Sequence, residues 1–161
     1  MHMFNCQLNW LREKSVFISF NILNVLIAGN LPPLGRVSVV IEEQGRYLFI
    51  EISKGCLIFP GGFIRWNESP SQAAIRECLE ETGLHVKLGN IIGYISAPSK
   101  GLSQLSTLTF VYQGKIISGE LRGSTEGYPS WHSEPESTDE ISSAILNCYL
   151  RSDASNSIVN V

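Results

Sequence analysis

The sequence predicts one α/β domain in which a mixed sheet is sandwiched between helices. Strand-like runs rich in β-branched and aromatic residues alternate with stretches whose apolar residues recur at helical spacing. With 161 residues, of which 43% are hydrophobic and 17% charged, the chain is long enough for one sizeable core and too short for two ordinary domains. We expect an apolar helical segment over residues 1–34, the main domain over residues 35–151 and a flexible polar tail over residues 152–161.

The N-terminal segment contains an apolar run, residues 16–28, that is interrupted by Asn21 and Asn24. The run is too short and too polar to span a bilayer, and it lacks the cleavage site of a secretory signal. We therefore expect a helix that packs on the main domain. Because so apolar a helix must be covered, a peripheral membrane contact and a homodimer contact are the alternatives.

Strands are predicted on both sides of a central helix. Residues 36–42 and 47–52 should form a hairpin about a turn at Gln44-Gly45. Residues 56–59 form a third, short strand that leads into Pro60-Gly61-Gly62. Beyond the helix, the sequence is strand-like over residues 91–96 and 107–117 and loop-like over residues 97–106 and 118–136.

The central helix has clear ends. Ser69 is a good N-cap, Pro70 suits the first helical position, Gln72 completes a capping box, and Gly83 is the natural stop. Its expected core-facing stripe consists of Ile75, Cys78, Leu79 and Thr82. A C-terminal helix is predicted from a second capping box, Ser137 with Glu140, and from an apolar stripe of Ile141, Ala144, Ile145, Cys148 and Tyr149.

Three glutamates of the central helix, Glu77, Glu80 and Glu81, are expected on the face opposite the apolar stripe. Like charges at this spacing repel by about 0.2–0.5 kcal/mol per pair, and carboxylates near the C-terminus oppose the helix dipole. A solvated acidic face is one explanation. A divalent cation that offsets the repulsion is the other, and oxygen ligands favour Mg²⁺ or Mn²⁺ over zinc.

The stretch from Gly62 to Leu84, GFIRWNESPSQAAIRECLEETGL, resembles the Nudix box of the Nudix hydrolases. Its fixed positions are filled by Gly62, Glu68, Arg76, Glu77, Glu80, Glu81 and Gly83, while Cys78 stands where an aliphatic residue is usual. The resemblance implies a Nudix-type α/β/α sandwich. It also implies a pyrophosphohydrolase that uses Mg²⁺ or Mn²⁺ and directs water at a phosphorus atom of a nucleoside diphosphate linked to another group.

The resemblance also implies roles for single residues. Glu77, Glu80, Glu81 and the Gly61 carbonyl would be metal ligands, and Arg76 would orient the glutamates. Glu68 would stabilise the loop or contribute to metal binding; the alternative is that it is only a solvent-exposed acid of the loop. Outside the box, Glu126 is the candidate ligand or general base and Glu120 the second choice, although both could be solvated loop acids. The expected substrate-binding residues are Gly61, Gly62, Arg36 and Phe63.

Composition narrows the partners. A net charge of −3 and a pI near 5.6 give no basic field for a nucleic-acid backbone, so a small phosphorylated molecule is expected. Candidates are a nucleoside triphosphate, an oxidised nucleotide and a nucleotide sugar such as ADP-ribose. The alternative function is a nucleotide-binding or regulatory module without turnover. The four cysteines form no C-x-x-C pair, which favours reduced thiols and a cytoplasmic location.

Overall fold

The computed structural model describes residues 15–52, 55–133 and 138–152. Helix α1 includes residues 15–26, and the other elements are β1 (Leu34–Glu43), β2 (Arg46–Glu51), β3 (Leu57–Ile58), β4 (Gly61–Phe63), α2 (Pro70–Thr82), β5 (Leu84–Ala97), β6 (Thr107–Gly119), β7 (Tyr128–His132) and α3 (Glu140–Ser152). Two compact units are distinguished: one holds the chain up to Leu34 with Ala97–Thr107, the other Gly35–Ser96 with the chain from Leu108 onward. The predicted cap Ser137 and the tail beyond residue 152 lie outside the described residues.

The strands of the described chain form one seven-stranded sheet with the order β3-β2-β1-β6-β5, in which β4 pairs with β1 and β7 with β2. The predicted hairpin is confirmed, because β1 and β2 are antiparallel and Glu42 lies opposite Tyr47. Its two turn residues, Gln44 at φ 54° and Gly45 at φ 75°, both have the positive φ that a two-residue type I′ turn requires.

Both faces of the sheet are covered by helices, as the sandwich prediction requires. Alternate residues of a strand point to opposite faces, and β1 shows this directly. Val39 and Ile41 lie in one buried cluster with α2, whereas Val40 lies in the other with α3. The stripe predicted for α3 is confirmed, since Ile145, Cys148 and Tyr149 are buried and Ile141 and Ala144 pack against the same cluster.

Strands β4 and β7 and the first part of β5 were not predicted from sequence. The region expected to be a loop over residues 118–136 contains β7, which pairs with β2 through Tyr128 opposite Glu51 and Trp131 opposite Leu48. Pro129 and the glycines before it argue against a strand locally, so only the distant partner β2 reveals it. Strand β5 begins at Leu84, directly after α2, rather than at residue 91.

The cap of α3 also differs from the predicted one. The helix begins at Glu140, and Asp139 Oδ1 accepts a hydrogen bond of 2.7 Å from Ser142 N. An aspartate that binds the third helical N–H in this way is an N-cap. Asp139 therefore caps α3, and Glu140 is its first residue.

Helix α1 lies in the unit that also contains residues 97–107. Asn21 is buried, and its Nδ2 donates to the carbonyls of Gly101, Leu102 and Gln104 at 3.4, 2.8 and 2.8 Å. Leu26, in contrast, is 76% exposed. Within the described residues no helix has the length and apolar character needed to cross a membrane. Packing of this segment on the main domain stays a prediction.

Candidate active site

Helix α2 carries the site, and its ends are fixed as predicted. Gln72 N donates to Ser69 Oγ at 3.2 Å, and Ser69 N donates to Gln72 Oε1 at 2.8 Å, which completes the capping box. Gly83 ends the helix at φ 77° and donates its N–H to Leu79 O. With both ends fixed, the direction of every side chain on the helix is determined.

Glu81 lies on the buried face of α2, which corrects the predicted orientation. It is 3% exposed and shares that face with Ala73, Ala74 and Cys78, whereas Ile75, expected in the core stripe, is 41% exposed. Gly61 N donates to Glu81 Oε2 at 2.8 Å, so β4 supplies a partner for one oxygen. Burial raises the pKa of Glu81 to about 8 despite that hydrogen bond.

Glu77 is held against the glycine strand β4. Its side chain is 14% exposed, and Arg76 Nη1 donates to its Oε1 at 2.6 Å. A Cβ atom at Gly62 would lie 2.5 Å from the same Oε1, so the carboxylate occupies space that only glycine leaves empty. Burial raises the pKa of Glu77, although Arg76 acts in the opposite direction.

Arg76 organises the acids on the outer side of α2. Its Nε and Nη2 bind the two oxygens of Glu68 at 2.7 and 2.8 Å, and its Nη2 also donates to Phe63 O at 3.1 Å. These bonds raise the pKa of Arg76 and lower that of Glu68 to about 2. Arg76 also holds Glu77 by a hydrogen bond, while its role in orienting metal ligands stays a prediction. Glu68 ties the loop to the helix, and both its oxygens are engaged by Arg76.

Glu80 also points to arginines. It accepts from Arg65 Nη2 at 3.1 Å and from Arg76 Nη1 at 3.2 Å, and its side chain is 47% exposed. Among the three helix glutamates it is therefore the most accessible. Exposed ion pairs of this kind contribute about 0–1 kcal/mol and exchange readily.

Glu126 reaches the buried carboxylates from the loop between β6 and β7. Its negative charge raises the pKa of both Glu81 and Glu77, and its carboxyl group lies within hydrogen-bond reach of that of Glu81. Glu81 Oε1 is buried without a donor among the described residues. Glu120, the second choice, is an exposed residue just after β6. Of these two acids, the structure brings Glu126 to the cluster.

The chemistry of this cluster fits a hard divalent cation. Two carboxylates in contact offer only acceptors, so a proton or a cation must lie between them, and oxygen-only donors suit Mg²⁺ or Mn²⁺. Glu81 Oε1 supports this fit, because it is a buried oxygen without a donor among the described residues and is free to bind a cation. Over the described ranges, no three Asp, Glu, His or Cys side chains are already arranged as a closed metal site. The side chains would therefore adjust as a cation binds.

The predicted substrate residues lie together on β1 and β4. Arg36 is the register partner of Phe63, and its guanidinium carbon lies 5.1 Å from the Phe63 ring centroid. Burial lowers the pKa of Arg36, while Asp139 and Glu81 oppose the shift. The sequence interpretation missed Asp139, which lines a cavity with Arg36 and Thr109. A helix-capping aspartate gives no local signal beyond its structural role.

The fold and the cluster define an α/β/α protein whose acidic helix faces a glycine strand. A model of the NUDIX domain matches residues 31–143. An ADP-ribose pyrophosphatase of Methanocaldococcus jannaschii is 33% identical over 96 residues, which cover 57% of this chain and 56% of that protein. A MutT-like protein of Streptomyces ambofaciens is 32% identical over 123 residues, covering 73% of this chain and 74% of that one.

A solved structure gives the same result. The NUDIX hydrolase from Nitrosomonas europaea superposes with a TM-score of 0.67 at 25% identity and covers 75% of this chain and 90% of its own. The chain belongs to the NUDIX family, and the predicted family and fold class are confirmed. It spans about half the length of the Methanocaldococcus protein that it matches.

Proposed function

We propose that this protein is a metal-dependent Nudix-type pyrophosphohydrolase that cleaves the diphosphate linkage of a nucleoside diphosphate derivative. The observation that carries the proposal is the approach of the exposed Glu126 to the buried Glu81, whose Oε1 has no donor among the described residues. The pair lies against Gly61, whose N–H binds the other Glu81 oxygen. The matched family supports the same class of chemistry.

The chain's own residues would hold and orient the reacting groups. Glu77, Glu80 and Glu81 are the proposed ligands together with the Gly61 carbonyl, and a bound Mg²⁺ or Mn²⁺ would neutralise phosphate oxygens and acidify water. Glu80 is included because its exposed arginine contacts cost little to exchange. We reassign Glu68 from the metal to the arginine network, since Arg76 occupies both of its oxygens.

Proton transfer is assigned to Glu126. A general base must lie within hydrogen-bond reach of the water that it deprotonates, and Glu126 lies beside Glu81 rather than on the rigid helix. A carboxylate on a loop can approach the water without disturbing the ligands on α2. Arg76 would keep Glu77 in place through its 2.6 Å hydrogen bond, so that the helix carboxylates keep their spacing during the reaction.

The first substrate to test is ADP-ribose, because a relative 33% identical to this chain is an ADP-ribose pyrophosphatase. Nucleoside triphosphates and oxidised nucleotides follow, since a second relative is MutT-like. The net charge of −3 supports a small molecule over a long nucleic acid. A homodimer, a peripheral membrane contact through residues 16–28 and a cytoplasmic location stay predictions.

The test is product release from this panel with Mg²⁺, with Mn²⁺ and with excess EDTA. We expect metal-dependent release of a nucleoside monophosphate, and a loss of at least about 100-fold in kcat for Glu81→Gln and Glu126→Gln. Glu43→Gln is the matched control, because Glu43 is an exposed acid at the end of β1. Tight nucleotide binding without turnover of any panel member would favour the non-catalytic binding module.

A further inference from the structure

We propose that Arg65 binds a phosphate oxygen of the substrate, and that its ion pair with Glu80 prevents this until Glu80 turns to the metal. Arg65 and Glu80 are named here the exchange pair. This inference rests on the proposed function, because Glu80 is one of the proposed metal ligands. It adds a phosphate-binding side chain at a position that is not among the fixed positions of the Nudix box.

The exchange pair is an open contact at the surface. Arg65 Nη2 donates to Glu80 Oε1 at 3.3 Å and to Glu80 Oε2 at 3.1 Å. The two side chains are 61% and 47% exposed. Because an exposed ion pair contributes about 0–1 kcal/mol, this contact is easily broken and adds little to the stability of the fold.

The backbone around Arg65 does not depend on the exchange pair. Arg65 N donates to Glu68 Oε2 at 3.1 Å, and Glu68 N donates to Arg65 O at 3.2 Å, which closes a turn over residues 65–68. Arg76 binds both oxygens of Glu68 and so connects this turn to α2. The start of the Arg65 side chain is therefore fixed by bonds that remain when the guanidinium leaves Glu80.

Only one arginine is released when Glu80 changes partner. Glu80 Oε2 accepts from Arg76 Nη1 at 3.2 Å as well as from Arg65. Arg76 keeps its bonds to Glu68 and Glu77 in any case. The guanidinium of Arg65, in contrast, has no hydrogen bond except those to Glu80 among the described residues. Arg65 is therefore the group that would need a new anionic partner.

A phosphate is the anion that fits the released guanidinium. The planar fork of donors in arginine binds phosphate oxygens in pairs. The neighbouring acids are already engaged, because Arg76 binds both oxygens of Glu68 and Oε1 of Glu77. Since Glu80 is a proposed metal ligand, a diphosphate at the metal would lie beside the arginine that Glu80 has just released.

The first test needs no metal. Methylenediphosphonate, a diphosphate analogue that resists hydrolysis, is titrated calorimetrically into the protein in metal-free buffer. Glu80→Ala releases Arg65, so this variant should bind the analogue about tenfold more tightly than the wild type. The double variant Glu80→Ala, Arg65→Met should lose this gain. Glu43→Ala removes an exposed acid at the end of β1 and should bind as the wild type does.

The second test gives two changes of opposite sign. Arg65 competes with a cation for Glu80, so Arg65→Met should bind Mn²⁺ alone up to about fivefold more tightly. With Mn²⁺ bound, the same variant should bind methylenediphosphonate about tenfold more weakly. Arg65→Lys keeps the charge without the fork and should bind the analogue with intermediate affinity. Arg46→Met removes an exposed arginine at the start of β2 and should change neither affinity.

Two results would overturn the exchange. One is a Glu80→Ala variant that binds the analogue no more tightly, or whose gain persists in the double variant. The other is an Arg65→Met variant that melts like the wild type yet binds both Mn²⁺ and the analogue more weakly, which would make Arg65 a support of the loop. A wild-type protein that binds no Mn²⁺ refutes the proposed metal site, whereas Mn²⁺ and analogue binding that Arg65→Met leaves unchanged refutes the exchange alone.

Discussion

A single methyl group at Gly62 should separate activity from stability. In Gly62→Ala the new Cβ would lie 2.5 Å from Glu77 Oε1 and 2.6 Å from Glu77 Cδ. Because these atoms are the end of a flexible side chain, the Glu77 carboxylate moves while the backbone of β4 keeps its pairing with β1. The movement needed to reach ordinary van der Waals contact is about 1 Å.

This displacement has a calculable consequence for catalysis. A misplacement of about 1 Å in a catalytic group can lower the rate about 100-fold, so we expect kcat to fall by about that factor. Stability should change little. Overpacking costs about 1 kcal/mol, while replacing a glycine that has ordinary φ by alanine returns about 0.4–1 kcal/mol through the unfolded chain. Initial rates with saturating Mg²⁺ and urea unfolding measure the two quantities on the same preparation.

Two other glycines serve as comparisons. Gly89→Ala places its Cβ no closer than 3.5 Å to Gln113, so both activity and stability should be retained. Gly61 has φ 157°, and a Cβ atom there would clash with the backbone of Val37 and Ser38. Gly61→Ala should therefore disrupt the pairing of β1 with β4. Wild-type turnover in Gly62→Ala with an unchanged melting temperature would refute the assignment of Glu77 to the reaction.

Three further predictions concern charge and anchoring. Arg76→Lys loses the two-pronged contact with Glu68, so the urea midpoint should fall and kcat should fall with it. Burial raises the pKa of Glu81 to about 8, so the folded protein binds a proton that the unfolded chain releases between about pH 4.5 and 8. Without metal, the melting temperature should therefore fall as pH rises through this range, and Mg²⁺ should restore it most at the alkaline end. A melting temperature that does not change with pH would contradict this. Asn21→Ala removes the hydrogen-bond donor of three carbonyls in the segment 97–107. Because this segment should then open more often, limited proteolysis should cleave it faster while cleavage elsewhere in the chain keeps its rate.

Local signals in the sequence were sufficient to predict the helix ends and the turn, which depend only on residues close together in the chain. The capping box of Ser69 and Gln72, the stop at Gly83 and the turn at Gln44-Gly45 depend on neighbouring residues only, and all are found as predicted. Strands β4 and β7 depend on partners that are far apart in sequence. Because β4 is a glycine pair and a phenylalanine, and β7 contains Pro129, neither has the alternating pattern from which strands are predicted.

The orientation of Glu81 could not be deduced from helical periodicity. The largest apolar side chain of the stripe, Ile75, was expected to define the buried face, yet that face is built from alanines and Cys78. Small residues let α2 approach the sheet closely, and Glu81 is carried inward with them. A buried carboxylate violates the pattern of an amphipathic helix, and such violations are expected where a site is built.

The structure also distinguishes acids that the sequence motif treats alike. Arg76 forms ion pairs with Glu68, Glu77 and Glu80, and these three pairs oppose the repulsion among the acids on that side of α2. Neither Glu81 nor Glu126 forms an ion pair with a lysine or arginine in the part of the chain that the structure describes. Arg76 therefore compensates one side only, and Glu81, whose pKa is raised by burial, lies beside Glu126 and Gly61 on the other side. A cation bound there would offset the cost of ionising Glu81 beside Glu126, so metal binding and the stability of the fold should rise together.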